Sequence, residues 1–206
     1  MQIIAHRGFW KTSEEKNSLV ALRRASEDGY GFETDIRDCA GQLLISHNPP
    51  RGDEPTLDEV LRIYQEIGST ATLALNIKAD GLQEMLKPML EKYGVKNYFF
   101  FDMSVCDTIL YVEQNLKFAS RSSEFEPYLP FYKDSEVVWV DYFDGRTDIV
   151  DEVRKYIADG KMPCIVSPEL HKLPYEAMWQ ILKDNGLTNV MLCTDVPDKA
   201  EEYFNK

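Results

Sequence analysis

The sequence predicts one α/β domain over residues 1-206, a closed (β/α)8 TIM barrel, and three observations carry that reading. Strand-like apolar segments alternate with amphipathic helical ones from end to end, the pattern of a parallel sheet with helical crossovers. Eight such strands can be read, at 2-6, 30-36, 72-78, 97-102, 117-121, 136-141, 163-167 and 189-194. With about as many helices, that favours a barrel over an open doubly wound sheet. The Gly-x-Gly-x-x-Gly turn that an open dinucleotide-binding sheet wants after its first strand is absent.

Taken in order, strand one ends in His6-Arg7-Gly8, and strand two contains Glu33-Thr34-Asp35 between the apolar Phe32 and Ile36. A hairpin-like piece then ends in Ser46-His47-Asn48. Thr56-Leu57-Asp58-Glu59 reads as a capping box, because the Thr hydroxyl and the Glu carboxylate each satisfy a free first-turn amide. Behind it Leu57, Val60, Leu61, Tyr64 and Ile67 keep one apolar stripe. Strand three carries Asn76-Ile77-Lys78, and the helical pattern at 81-93 contains Pro88, which should kink or shorten it. The fifth strand runs into Arg121. Ile149, Val150, Val153, Tyr156 and Ile157 form another stripe, closed by Gly160, where a left-handed cap is expected. Pro174 can start a further helix with Met178, Trp179 and Leu182 inward and Gly186 ending it.

The 206 residues, 44% hydrophobic, suffice for a full core. With 23 Lys+Arg against 35 Asp+Glu, the formal net charge is -12. A surface this acidic repels phosphate backbones, which argues against nucleic-acid partners and against anchoring on an anionic membrane through a basic patch. Apolar runs such as Val137-Val138-Trp139-Val140 fall far short of the ~20 residues a membrane helix needs, and no charged-then-apolar secretory signal opens the chain. The expected compartment is the cytoplasm. Cys39, Cys106, Cys164 and Cys193 form no Cys-x-x-Cys pair and read as reduced thiols, Cys164 and Cys193 as small buried hydrophobes. Nothing in the sequence fixes an oligomeric state.

In a barrel, chemistry belongs at the C-terminal strand ends. Glu33 and Asp35 are two residues apart on one strand, so both leave the same face, the barrel interior. Two inward carboxylates repel each other and are costly to desolvate, and a divalent cation with oxygen ligands, Mg2+ or Ca2+, resolves both problems. His6 and His47 fall at strand ends flanking this pair and can exchange protons near neutral pH. Arg7, Lys78 and Arg121 would add positive charge at the same mouth, reversing the sign of the surface locally and binding a phosphate.

These residues resemble the glycerophosphodiester phosphodiesterase family. The resemblance rests on His6-Arg7-Gly8, Glu33-Thr34-Asp35, His47, Asn76-Ile77-Lys78 and Thr194-Asp195-Val196-Pro197; it covers residues 3-48 well, 73-78 and 190-199 moderately, and 100-190 hardly at all. It implies a TIM barrel that hydrolyses a small phosphodiester. Glu33 and Asp35 would bind the cation, His6 and His47 would serve as acid and base, and Arg7 and Lys78 would offset charge on the phosphoryl oxygens. Either histidine could start as base. Asn76 stands where the family has a third carboxylate ligand and offers an amide oxygen, which should weaken the metal or leave room for a water. Of the family's Glu-Asn-Thr after strand one, here Lys16-Asn17-Ser18, only Asn17 carries over; the usual His-Asp is His47-Asn48. The stretch from Asn48 to Pro55 is short, so the pocket should be open, with selection left to later loops that carry Tyr128, Tyr132, Tyr142, Phe143, Glu169 and His171. Two other outcomes stay open: a barrel that binds a phosphorylated sugar or polyol without turnover, and a lyase that stops at a cyclic phosphate.

Overall fold

Runs such as LALNI, YFFF, VVWV and MLCT are apolar at almost every position, the composition of strands covered on both faces. The computed structural model describes residues 1–205 and makes each of them a barrel strand. The strands are β1 (Gln2–His6), β2 (Gly31–Cys39), β3 (Gln42–Ile45), β4 (Leu73–Ile77), β5 (Tyr98–Phe101), β6 (Ala119–Ser122), β7 (Val137–Val140), β8 (Met162–Val166) and β9 (Met191–Thr194). The helices are α1 (Leu19–Glu27), α2 (Leu57–Ile67), α3 (Gln83–Lys92), α4 (Val105–Glu113), α5 (Val150–Ala158), α6 (Glu176–Asp184) and α7 (Pro197–Asn205). Eight strands form parallel ladders in the order β5-β4-β2-β1-β9-β8-β7-β6, and β3 adds antiparallel to β2. Among the described residues β5 and β6 share no regular ladder; a bridge between Phe100 and Phe118 joins them, so the barrel is nearly closed.

Two apolar layers result. Phe32, Ile36, Leu75 and Phe100 meet the helices outside the sheet, including Leu57, Leu61 and Tyr64 of α2. Ile4, Ala74, Phe99, Phe101, Trp139, Cys164, Met191 and Cys193 fill the barrel interior. There Phe101 stacks on Trp139 with centroids 4.0 Å apart. The interior is therefore packed and gives the C-terminal mouth a solid floor.

The capping box forms as the sequence predicts: Glu59 N–H donates to the Thr56 hydroxyl and Thr56 N–H to the Glu59 carboxylate. Of its stripe, Leu57, Val60, Leu61 and Tyr64 are buried and Ile67 half-buried. Gly160 has the expected left-handed conformation. Other expectations shift. Strand two continues to Cys39 because Ala40 and Gly41, both at positive φ (+49° and +79°), close a two-residue hairpin of the twist that favours antiparallel return. Helix α3 runs through Pro88 without a break; Pro88 and Glu84, whose carbonyl loses its partner, both lie on the exposed face, where the loss costs least. Ile157, expected on the inner stripe of α5, is exposed, one 100° step beyond the buried Tyr156. Pro174 precedes α6 rather than sitting in its first turn. No α-helix follows β6, where turns carry the crossover instead. Among the described residues no helix is long and apolar enough to cross a membrane.

Candidate active site

After β1 the chain turns sharply, with Arg7 and Gly8 both left-handed (φ +56° and +82°). A Cβ on Gly8 would stand 2.7 Å from the Ala21 carbonyl carbon of α1, so glycine alone fits this approach. The turn aims the Arg7 N–H at Glu33 Oε2, 3.1 Å away.

His6 lies at the strand end with Nδ1 2.6 Å from Asp195 Oδ1, just past β9, and Nε2 3.8 Å from Glu33 Oε2. Burial pushes the His6 imidazole below its usual value, against the pull of Asp195 and with help from Arg7 and Lys16. The ring is therefore neutral at pH 7, and the short contact to Asp195 assigns its proton to Nδ1, leaving the Nε2 lone pair free. Burial works against the charge of Asp195, but the hydrogen bond from His6 and the nearby Lys16, 3.4 Å away, outweigh it and hold the carboxyl below its usual range. Asp195 is fixed further by its N–H, which donates to Glu169 over 3.0 Å.

Register sets the carboxylate pair. Glu33 stands beside His6 across the β1–β2 ladder, and Asp35 beside Asn76 across β2–β4. All three side chains are buried, at 2%, 1% and 7% exposure. Burial, and then the charge of Asp35, pushes Glu33 well above the usual carboxylate range, with Arg7 and Lys78 pulling the other way. Asp35 Oδ2 accepts from Asn17 Nδ2 at 2.8 Å and lies 3.3 Å from Arg7 Nε. Asn17, itself left-handed, also accepts from the Thr34 hydroxyl at 2.8 Å. Asp35 Oδ1 and Asn76 Oδ1 are buried without a hydrogen-bond partner among the described residues, although Lys78 Nζ is 3.5 Å from Asp35. Two such oxygens on adjacent strands, with Glu33 a pleat below, make an all-oxygen donor set of the kind hard divalent cations take. Among the described residues no three His, Cys, Asp or Glu side chains gather in metal-holding geometry; the third inward oxygen here belongs to an amide.

From Asp35 a chain of opposite charges follows the strand ends around the mouth. Lys78 lies 3.8 Å from Asp102, Asp102 pairs with Arg121, and Arg121 reaches Asp141 at 3.5 Å and Glu126 at 3.7 Å. Asp141 in turn meets His171 Nε2 at 2.7 Å. Burial opposes the charge on Arg121, but Asp102, Asp141 and Glu126 more than restore it. Beneath this ring, where β5 and β6 part, a cavity of about 570 Å3 opens between Lys78, Asp80, Asp102, Arg121, Met103 and Phe131.

The structure thus brings His6, Arg7, Asn17, Glu33, Asp35, Asn76 and Lys78 together. Arg121 stands across the cavity, with its charge committed to carboxylates. His47 is not joined to His6: it lies on the exposed turn after β3, and its ring meets Asn48 at 3.1 Å as its one hydrogen-bond contact among the described residues. The expected local reversal of charge is absent as well. Arg7, Lys16, Lys78 and Arg121 are interleaved with Glu33, Asp35, Asp102, Asp141 and Asp195, because acids as well as bases end the strands. Asp102, Asp141 and Asp195 went unassigned in the sequence, although each is the first charged residue after an apolar strand, a signal that marks a barrel mouth.

Fold and mouth together define a TIM-type barrel with a His–Asp dyad beside a buried carboxylate pair. No protein-family model and no curated protein sequence matches the chain. Among solved structures, it is similar over 100% of its length to an inferred glycerophosphodiester phosphodiesterase of Galdieria sulphuraria, at 18% identity and a TM-score of 0.79, covering 98% of that chain. It is similar to an Oleispira antarctica phosphodiesterase, solved with its product sn-glycerol-3-phosphate, at 16% identity and a TM-score of 0.72, over 100% of this chain and 97% of that one. A Ca2+-dependent phosphatidylinositol-specific phospholipase C from Streptomyces antibioticus follows at 10% identity and 0.56, over 97% and 95%. The barrel that the motifs imply is the barrel observed, and glycerophosphodiester phosphodiesterases are among the structures that share it along the whole chain.

Proposed function

We propose that the chain is a phosphoric diester hydrolase acting on a small glycerophosphodiester or related polyol-phosphate diester with the help of a divalent cation. One observation carries the reading: the His6–Asp195 dyad sits beside the buried Glu33 and Asp35 at the C-terminal mouth. Asp195 fixes the His6 tautomer, so Nε2 is the atom that takes a proton from a hydroxyl next to the ester. Arg7 and Lys78, both at Asp35, supply charge for the phosphoryl oxygens. Glu33, Asp35 and Asn76 are the residues that would hold Mg2+ or Ca2+, and the orphaned Asp35 and Asn76 oxygens support that assignment. Such a cation lowers the pKa of a bound hydroxyl and neutralises phosphoryl charge. It also suits a mouth whose carboxylates outnumber its bases. His47, exposed at the rim, is the second proton carrier that the motif resemblance implies, and the cavity at Arg121 is large enough for a small alcohol group.

The purified protein is expected to release alcohol from at least one of glycerophosphocholine, glycerophosphoethanolamine or glycerophosphoinositol with Mg2+ or Ca2+ present. His6→Ala should abolish turnover while leaving the circular dichroism spectrum intact. Absence of turnover across that panel by folded protein would reject the hydrolase. A binding barrel without turnover is the second reading, favoured by the ion pairs that already flank Asp35; tight calorimetric binding of phosphate esters with no product would support it. Persistence of a cyclic ester in the phosphorus NMR spectrum would identify a lyase.

A further inference from the structure

We propose that Arg37 is the positioning residue for His47: its guanidinium clamps the turn after β3 to the end of β4 and so places the exposed histidine for its part in proton transfer. This deepens the hydrolase reading and rests on it. Strand alternation puts Glu33, Asp35 and Arg37 on one face of β2. Arg37 is therefore the next side chain beyond Asp35 on the face that carries the candidate cation ligands, and it is half-buried there. Its fork is divided between two elements. Nε and Nη2 both donate to the His47 carbonyl at 3.2 Å, and Nη1 donates to the Lys78 carbonyl at 2.7 Å. One planar group with fixed donor directions thus sets the spacing between the turn and the strand end.

The same turn is tethered to the site a second time. Ser46 N–H donates to the Asp35 carbonyl at 3.0 Å, and the Ser46 hydroxyl donates to the Asn48 carbonyl at 2.8 Å. His47 therefore starts one residue from a hydrogen bond to a candidate cation ligand. Lys78 has other supports: its N–H donates to the Ile36 carbonyl at 3.0 Å, and its ammonium lies 3.5 Å from Asp35 and 3.8 Å from Asp102. Loss of Arg37 thus releases the His47 carbonyl and leaves Lys78 held. His6 is oriented through its ring by Asp195, whereas the His47 ring meets only the neutral Asn48 amide among the described residues. A histidine without a carboxylate partner has to be placed through its backbone, and the guanidinium does that.

The direction of the reaction fits this placement. In an in-line displacement the attacking and leaving oxygens stand on opposite sides of phosphorus. His6 ends β1, Lys78 follows β4, and β2 lies between those strands in the sheet. A diester with its hydroxyl at His6 Nε2 and its phosphoryl oxygens at Arg7 and Lys78 directs its leaving oxygen toward the β2–β4 side, where the His47 turn is clamped. As the bond from phosphorus breaks, that oxygen keeps the electron pair and takes its proton from the His47 imidazolium. Arg37 touches no reacting atom and takes no part in the transfer.

The test compares two leaving groups on one enzyme: glycerophosphoethanolamine, whose alkoxide needs a proton, and glycerol phosphate 4-nitrophenyl ester, whose phenolate does not. In Arg37→Met, kcat on the ethanolamine ester should fall by roughly 10- to 10²-fold, the size expected of a misplaced group, while the nitrophenyl ester stays within about threefold. Arg37→Gln is the second variant should the first melt early. His47→Ala should show the same leaving-group bias with a larger loss, roughly 10²- to 10⁴-fold. The double variant should be no worse than His47→Ala alone, because Arg37 acts through that residue. Equal losses on both esters in the Arg37 variants, no loss on either, or additive losses in the double variant would overturn the clamp. Wild-type protein that cleaves neither ester overturns the hydrolase reading, and this inference with it. Active wild type with a biased His47→Ala and indifferent Arg37 variants overturns this inference alone.

Discussion

The side chains with most at stake are those whose polar atoms are buried and half-satisfied. Asp195 does one thing that no neighbour duplicates: it fixes which nitrogen of His6 carries the proton. Asp195→Asn keeps the shape but admits the opposite tautomer, so kcat on a glycerophosphodiester is expected to fall about 10²- to 10⁴-fold. The double variant with His6→Ala should be no worse than His6→Ala alone, because the two act as one unit. Steady-state kinetics on the three proteins, with melting curves as a control, checks both statements. Asn76 gives a separate handle on the cation. Its amide oxygen is buried and unpartnered beside Asp35, so Asn76→Asp adds a full charge to the donor set and Asn76→Ala removes an oxygen. Titration of the melting temperature with Mg2+ and Ca2+ should show tighter apparent binding for the first and weaker for the second; identical titrations in all three proteins would take Asn76 out of the cation site.

Elements were legible where a local rule had no competitor. The Thr56–Glu59 box needs four residues and nothing from elsewhere, and it forms as read; Thr56→Ala should cost about 1 kcal/mol, seen as a lower denaturation midpoint with unchanged slope. The Glu33, Asp35 and His6 positions were legible for a similar reason, since strand alternation and barrel geometry decide which face they take. What stayed hidden depends on contacts between elements distant in sequence. The passage of α3 through Pro88 rests on which face of the helix meets solvent. The partnership of His171 with Asp141 joins two crossover loops 30 residues apart, and loops carry no periodicity from which it could be read. Gly8 lies between these cases. Its place after His6-Arg7 is visible in the sequence, but the need for glycine comes from α1 packed 2.7 Å from the missing Cβ. Gly8→Ala is expected to cost roughly 1-3 kcal/mol in strain and to tilt the Arg7 N–H away from Glu33, lowering stability and turnover together.

At the scale of the molecule, a barrel whose interior is filled rather than hollow must hide whatever lines it, and the cysteines report on that. Cys164 and Cys193 stand on neighbouring strands β8 and β9, fully buried in the inner layer with Phe101 and Trp139. Burial pushes both thiols well above their usual value, with nearby carboxylates adding to the effect, so almost no thiolate exists at neutral pH and no reagent can reach what there is. Cys106 is exposed on α4, and Cys39 is half-exposed at the β2–β3 hairpin. A thiol reagent such as dithionitrobenzoate at pH 7 should therefore react with Cys106 and Cys39 in the native protein, leaving the inner pair untouched. The seam between β5 and β6, the weakest join in the wall, lies away from β8 and β9, so its local opening should not expose them. In rising urea, Cys164 and Cys193 are expected to become reactive together, along the same curve as the loss of circular dichroism. Reaction of either one well before that transition would mean that the barrel opens on the β8–β9 side and that its interior is not the single packed layer described above.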